Sequence, residues 1–332
     1  MEASRIVTSA LLRVPPEAAH RAANRLLGLP LPWERIGGAP RTPDQAVTLA
    51  GIELPNPVGL AAGFDKTCRH LDALSRLGFG YVVGGTITRH PRRGNPKPRI
   101  VRIREHSSLV NAMGLPNPGA EAAARTLARV PRPGPRFVSI ADQDFDDVLE
   151  TYALAAPHAD AIELNVSCPN VSWGRDRDNE AHLTSLLRAL APRRTGPLFV
   201  KLPPFRTDVE REVVLALARI ARADGADGLT CSNTRPVADA RLATRAGGLS
   251  GRDLFEETPR IVAEVREATG GALPINACGG VATAEDAVAC LEAGATTVQI
   301  YTALVYRGPA LVGRLVRGLA EAGRRSAAAE RR

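Results

Sequence analysis

The chain has 332 residues, 44% hydrophobic and 23% charged, an ordinary globular composition that suits one large α/β domain or two smaller ones. Its formal charge is +8, yet only Lys66, Lys97 and Lys201 are lysines and the arginines are scattered, so the excess reads as compositional bias rather than a nucleic-acid patch. Five cysteines without a CxxC pair or metal-ligand spacing, no leader pattern and no long apolar run point to reduced thiols in the cytoplasm, with no metal site and no membrane span.

Residues 1–45 stand apart from the rest of the chain. Ile6, Val7, Ala10, Leu11 and Val14 share one face of a short helix, and Ala19, Ala22, Ala23, Leu26 and Leu27 form a second apolar face after Pro15-Pro16. Two such helices serve equally as a simple lid over the bottom of the domain that follows, as walls of an apolar tunnel, or as a surface lying on a membrane. From residue 57 onward, short apolar runs alternate with amphipathic stretches. The runs are 57–62, 81–84, 137–141, 161–165, 198–202, 228–232, 274–278 and 297–301. Several are continuously apolar, as parallel strands buried on both faces are. Helical periodicity falls at 71–77, 146–155, 180–190, 209–223, 258–268 and 284–292. Repeated βα units over about 250 residues predict a (β/α)8 TIM barrel at 46–320, with a short two-helix extension at 1–45 and a flexible basic tail at 321–332. A doubly wound sheet is the alternative.

In such barrels the chemistry sits at the C-terminal strand ends. The first strand runs into Ala61-Ala62-Gly63-Phe64-Asp65-Lys66, the second into Gly84-Gly85-Thr86, and the fourth into Asn165-Val166-Ser167-Cys168-Pro169-Asn170. The fifth ends in Lys201, the sixth in Ser232-Asn233-Thr234, the seventh in Cys278-Gly279-Gly280 and the eighth in Tyr301-Thr302. Gly279 and Gly280 occupy the usual phosphate cradle, where bare backbone N–H groups approach anionic oxygens. Gly248 to Gly251, read as a loop after the sixth strand, is a second phosphate candidate. Asn111, Asn165, Asn170 and Asn233 each offer an amide donor and acceptor, which suits the edge of a pyrimidine-like ring. Cys168 is the candidate proton-transfer group, since a thiol of pKa about 8.5 needs little activation to act as a base. Cys68 and Cys290 read instead as buried structural cysteines. Where arginine fills nearly every basic position, Lys66 and Lys201 stand out as compact point charges.

These residues resemble the dihydroorotate dehydrogenase family over nearly the whole chain, from about Pro16 to Gly313. The most specific stretches are Asn56 through Lys66, Asn165 through Asn170, Gly247 through Gly251, and Val298-Gln299-Ile300-Tyr301-Thr302-Ala303-Leu304. The resemblance implies FMN-dependent oxidation of dihydroorotate to orotate in pyrimidine biosynthesis, with Cys168 removing the C5 proton as hydride leaves C6. It implies orotate contacts from Lys66, Asn111, Asn165, Asn170, Asn233 and Thr234. It implies FMN contacts from Ala62, Gly63, Thr86, Ser139, Asn165, Lys201, Ser232, Ser250, Gly251, Gly279, Gly280, Tyr301 and Thr302.

The branch is mixed. The N-terminal helices, with His20, Arg102 and Tyr301 at positions that line a quinone tunnel, resemble the membrane-associated quinone-reducing branch. Such an enzyme works as a peripheral protein at the cytoplasmic face. Cys168 in place of serine, Ser139 in place of asparagine, and the loop Asn111-Ala112-Met113-Gly114 resemble the soluble branch, whose acceptors are fumarate or NAD. A related dihydropyrimidine is an alternative substrate. The flavin-dependent tRNA dihydrouridine synthases, which share an Asn-x-x-Cys-Pro element, are a more distant alternative. Oligomeric state leaves no mark in the sequence, nor does closure of 171–180, with Trp173, as a lid.

Overall fold

The computed structural model describes residues 2–40, 43–166 and 179–329. Eight parallel strands close into a barrel in chain order: Val58–Leu60, Tyr81–Ile87, Arg136–Ile140, Ala161–Asn165, Leu198–Leu202, Gly228–Cys231, Ile275–Cys278 and Thr297–Ile300. The last strand pairs back onto the first, with Val298 opposite Val58. All eight predicted runs are strands, since continuous apolarity is what a sheet covered by helices outside and packed inside demands. The surrounding helices start where local chemistry starts them. Thr207 and Glu210 close a capping box on Asp208–Ala223, and Thr283 with Asp286 does the same for Ala284–Glu292.

The bottom of the barrel is plugged by a hairpin, Val47–Leu49 paired with Ile52–Leu54. Leu49 and Leu54 pack on three interior rings, with Tyr81 and Phe137 4.7 Å apart and Phe137 and Phe199 5.4 Å apart. Glycines on adjoining strands make this aromatic layer fit. A Cβ at Gly59 would sit 2.4 Å from the Tyr81 ring, and one at Gly228 2.2 Å from Phe199.

The mouth carries an element that no sequence pattern announced. Ile100–Ile103, Ser108–Asn111, Arg235–Ala238 and Ala246–Gly251 form a four-stranded antiparallel sheet over the C-terminal end. The segment 248–251, expected as a loop, is therefore a strand, paired to 108–111.

Among the described residues three α-helices precede the barrel rather than two, α1 (Glu2–Arg13), α2 (Pro16–Leu27) and α3 (Trp33–Gly37), with a 3-10 turn at Pro43–Gln45. The short α3 and the 3-10 turn after it are fastened to the barrel shell. A Cβ on Gly37 would lie 2.0 Å from Leu77 O, and Gln45 Nε2 donates to Val316 O at 2.6 Å. The hood is thus α1, α2 and the turn that follows them, and it covers the mouth rather than the bottom of the barrel. Its α1 end is clamped electrostatically: Arg102 donates to the carbonyls of Leu11, Leu12 and Val14, and Arg104 donates to Leu12 at 2.6 Å. Cations there complement the negative end of the helix. In α2, Glu17 pairs with Arg99 at 2.9 Å and Lys97 at 3.0 Å, joining the hood to the cover sheet. The final helix, Leu311–Ala329, runs through the 320/321 division expected from sequence.

Candidate active site

Between barrel mouth and cover sheet lies a cavity of about 440 Å³, the more polar of two and within the range that holds cofactor-sized ligands. Its wall gathers residues from seven of the eight strand ends: Ala62, Gly63 and Lys66, Thr86, Asn165, Lys201, Ser232 to Thr234, Gly279 and Gly280, and Tyr301 and Thr302. The cover sheet adds Asn111, Ser250 and Gly251. A register shift between Gly85 and Ile87 interrupts the second strand's pairing at Thr86. Thr86 bonds Ser139 at 3.0 Å and accepts from Asn165 Nδ2 at 3.3 Å. Asn233 Nδ2 reaches Asn165 Oδ1 at 3.3 Å, and Asn111 Nδ2 reaches Gly248 O at 3.4 Å. Three of the four predicted asparagines therefore converge on one face. Ser139 does not join them at the wall. It is fully buried one layer back, where it reaches the cavity only through Thr86.

At one end, Thr302 Oγ1 donates to Ser250 Oγ at 2.9 Å beside Gly251 and Gly280, both with positive φ. A Cβ at Gly280 would meet Phe255 N at 2.6 Å, so the backbone packs too closely there for any other residue. Two lysines flank the cavity. Lys66 donates to the carbonyl of Gly63, and burial pulls its pKa down to about 8 despite the attraction of Asp65. Lys201 is buried on the floor. Burial opposes its charge, but Glu163, with Nζ 3.7 Å from Oε1, and secondarily Cys278 more than offset this and hold its pKa above the usual lysine value.

A second cavity, of about 390 Å³, lies under the hood and is overwhelmingly apolar. Val7, Leu11, Ala19, Ala23, Leu26 and Leu27 line it from α1 and α2, with Trp33, Phe64 and Leu304 from beneath. His20, Ile100, Leu109 and Tyr301 face both cavities. Phe64 stands against Tyr301 at 5.5 Å and His20 at 6.4 Å between centroids. Burial, reinforced by Lys66, lowers the pKa of His20 to about 4, so its ring is neutral near pH 7. Burial pushes the Tyr301 phenol up to about 12, and its hydroxyl donates to Gly63 O at 3.2 Å. Arg102 lines the apolar cavity, although its guanidinium is engaged with α1.

The chain matches known proteins over most of its length. The family model described as dihydroorotate dehydrogenase matches residues 45–322. A dihydroorotate dehydrogenase (quinone) of Novosphingobium aromaticivorans is 41% identical, covering 93% of this chain and 92% of its own. The chain belongs to the dihydroorotate dehydrogenase family. A dihydroorotate dehydrogenase (quinone) of Salinispora arenicola is 39% identical, covering 93% of this chain and 96% of its own. The crystal structure of a dihydroorotate dehydrogenase of Eimeria tenella in complex with ferulenol superposes with a TM-score of 0.82 at 30% identity, covering 97% and 96% of the two chains.

For this family member, Cys168 and Asn170 lie outside the described residues, as does Trp173 with most of 171–180. Cys68 and Cys290 are fully buried, as their structural reading requires. Sequence reasoning missed the part Glu163 plays. It sits two residues before Asn165, and a carboxylate inside an apolar strand run was the available signal. Arg252 and Arg307, at the cavity rim, were also missed. No helix among the described residues is long and apolar enough to cross a membrane.

Proposed function

We propose that this chain oxidises dihydroorotate to orotate on a bound FMN and passes the electrons to a quinone. What carries the reading is the pairing of a more polar and an apolar cavity across one wall, made by His20, Ile100, Leu109 and Tyr301. The polar cavity suits a flavin mononucleotide. Tight backbone at Gly251, Gly279 and Gly280, with the hydroxyls of Ser250 and Thr302, supplies donors for a phosphate. Ala62, Gly63, Thr86 and Ser232 border the space for the ring, and the buried cation of Lys201 faces it from below.

On the substrate side, Lys66 supplies a cation for the carboxylate of dihydroorotate. Asn111, Asn165, Asn233 and Thr234 present donors and acceptors for its ring, and Asn170 completes the set. Cys168 takes the C5 proton. Bound flavin would accept the hydride that leaves C6, supplying the two-electron chemistry that no side chain offers. Lys201 favours that step, because positive charge stabilises an electron-rich ring. The apolar cavity takes the quinone, with its carbonyls towards His20, Tyr301 and Arg102 and its tail among the residues of the hood. Ile6, Val7, Leu29 and Leu31, exposed by 65, 45, 48 and 39%, give the hood an apolar outer surface for peripheral contact with a membrane.

Lys66 makes the substrate half testable. With its pKa about 8, the ammonium is present below that value and lost as pH rises through it. Anaerobic mixing with dihydroorotate is expected to bleach the flavin, with the apparent substrate affinity weakening above pH 8. Lys66→Met is expected to weaken it at every pH and to remove this alkaline limb. A purified protein without flavin absorbance, or a flavin that dihydroorotate does not bleach, contradicts the reading.

A further inference from the structure

We propose that Glu163 is the fixed counter-ion of Lys201 and thereby sets the redox potential of the flavin held above them. Its basis is the proposed binding of FMN in the polar cavity.

The pair is built into adjoining strands. Lys201, 5% exposed, faces the cavity, and Glu163, 1% exposed, lies beneath it. Lys201 Nζ and Glu163 Oε1 are 3.7 Å apart. The other carboxylate oxygen accepts from Thr230 Oγ1 at 2.9 Å. That bond ends a chain crossing the barrel interior. Thr297 Oγ1 donates its one proton to Asn276 Oδ1 at 2.7 Å, so Tyr81 OH, 2.8 Å away, must donate to Thr297. Asn276 Nδ2 in turn donates to Thr230 at 3.3 Å, and Thr230 spends its proton on Glu163. Every donor in the row points the same way, and the row ends on the carboxylate. Such a network fixes an acceptor at Glu163 and leaves it no freedom to move away from Lys201.

The consequence is electrostatic. A lysine beneath a flavin stabilises added electrons, and a carboxylate beside that lysine cancels part of the effect. Removing one partner of a buried pair leaves the other uncompensated. Glu163 is therefore a positioning residue, acting on the cofactor only through the charge and proton affinity of Lys201.

Glu163→Gln keeps the size of the side chain and an acceptor for Thr230 while deleting the charge. The measurement is the flavin midpoint potential of the purified holoprotein, titrated with redox dyes across pH. The variant is expected to lie higher than the parent at acidic and neutral pH, by at least a tenfold change in the two-electron equilibrium, about 30 mV. Towards alkaline pH its potential is expected to fall earlier, as unpaired Lys201 gives up its proton. In a Lys201→Met background the lone buried carboxylate takes up a proton, so Glu163→Gln is expected to change nothing further. A potential–pH curve superimposable on the parent's overturns the proposal, and so does a shift that persists undiminished without Lys201. Should Glu163→Gln not fold, Thr230→Val removes the donor to Glu163 and keeps both charges. Without that donor Glu163 is expected to take up a proton more readily, so the potential is expected to rise above the parent's as pH falls, and a curve superimposable on the parent's overturns the proposal equally. A parent protein purified without flavin refutes the cofactor reading instead, before any variant is made.

Discussion

Replacing Cys168 by alanine is expected to slow flavin reduction by dihydroorotate about 10²–10⁴-fold, the usual loss when a positioned general base is removed. Flavin binding is expected to survive, because most of the residues proposed to hold it come from other strand ends and from the cover sheet. Replacement by serine is the sharper version. A thiol has a pKa of about 8.5, and a serine hydroxyl is a far weaker acid. Cys168→Ser is thus expected to lower turnover at neutral pH and to move the rising limb of the pH–rate profile upward. Stopped-flow bleaching of the flavin under anaerobic conditions reads this step apart from reoxidation. An unchanged profile would remove Cys168 from the base role.

Deleting the hood is expected to produce the second large effect, on the other half-reaction. The apolar cavity owes much of its wall to α1 and α2, and without them it becomes an open surface. Truncation after Gly28 is the clean cut. Further on, Trp33, Gly37 and Gln45 are packed into the barrel shell, and a cut at residue 45 would damage it. The truncated protein is expected to lose at least tenfold in quinone reduction. Its flavin is expected still to bleach with dihydroorotate, at a somewhat lower rate because His20 also borders the polar cavity and Glu17 no longer holds Arg99. Equal loss of both half-reactions would mean that the hood supports the whole site. Loss of neither would reduce it to a cap.

These expectations mix features legible in the residues with others that were not. The eight barrel strands were legible because a strand buried on both faces must be continuously apolar, and 161–165 and 198–202 match the observed strands residue for residue. The cover sheet was not. Its strands contain Arg102, Pro236 and a glycine-rich run at 246–251, and its two local pairs are joined into one sheet only by 248–251 pairing with 108–111, across more than a hundred residues of chain. No local pattern reports such a partner. The strand-end polar residues were found by position, yet their grouping needed coordinates: Asn165, Asn233 and Asn111 come together, whereas Ser139 retreats behind Thr86. Glu163 was hidden for a related reason. Inside a barrel strand it looks like an exception to burial until Lys201 and Thr230 appear beside it.

The hood also bears on the mixed features of the sequence. Cys168 resembles the soluble branch, while α1 and α2 wall in an apolar space that fumarate, a small dianion, would have no reason to enter. The relatives named dihydroorotate dehydrogenase (quinone) agree with the hood rather than with the cysteine. A base can be exchanged within a loop without disturbing the scaffold around it, whereas a cavity shared by two helices and a barrel cannot. The electron acceptor should therefore follow the cavity.

The decisive measurement is the identity of the acceptor. Flavin bleached anaerobically with dihydroorotate is offered a short-chain quinone, fumarate or NAD in parallel, and the return of its absorbance is followed. Rapid return of colour with the quinone alone, lost on truncation after Gly28, is the expected result. Return of colour with fumarate or NAD, and none with the quinone, would contradict the account.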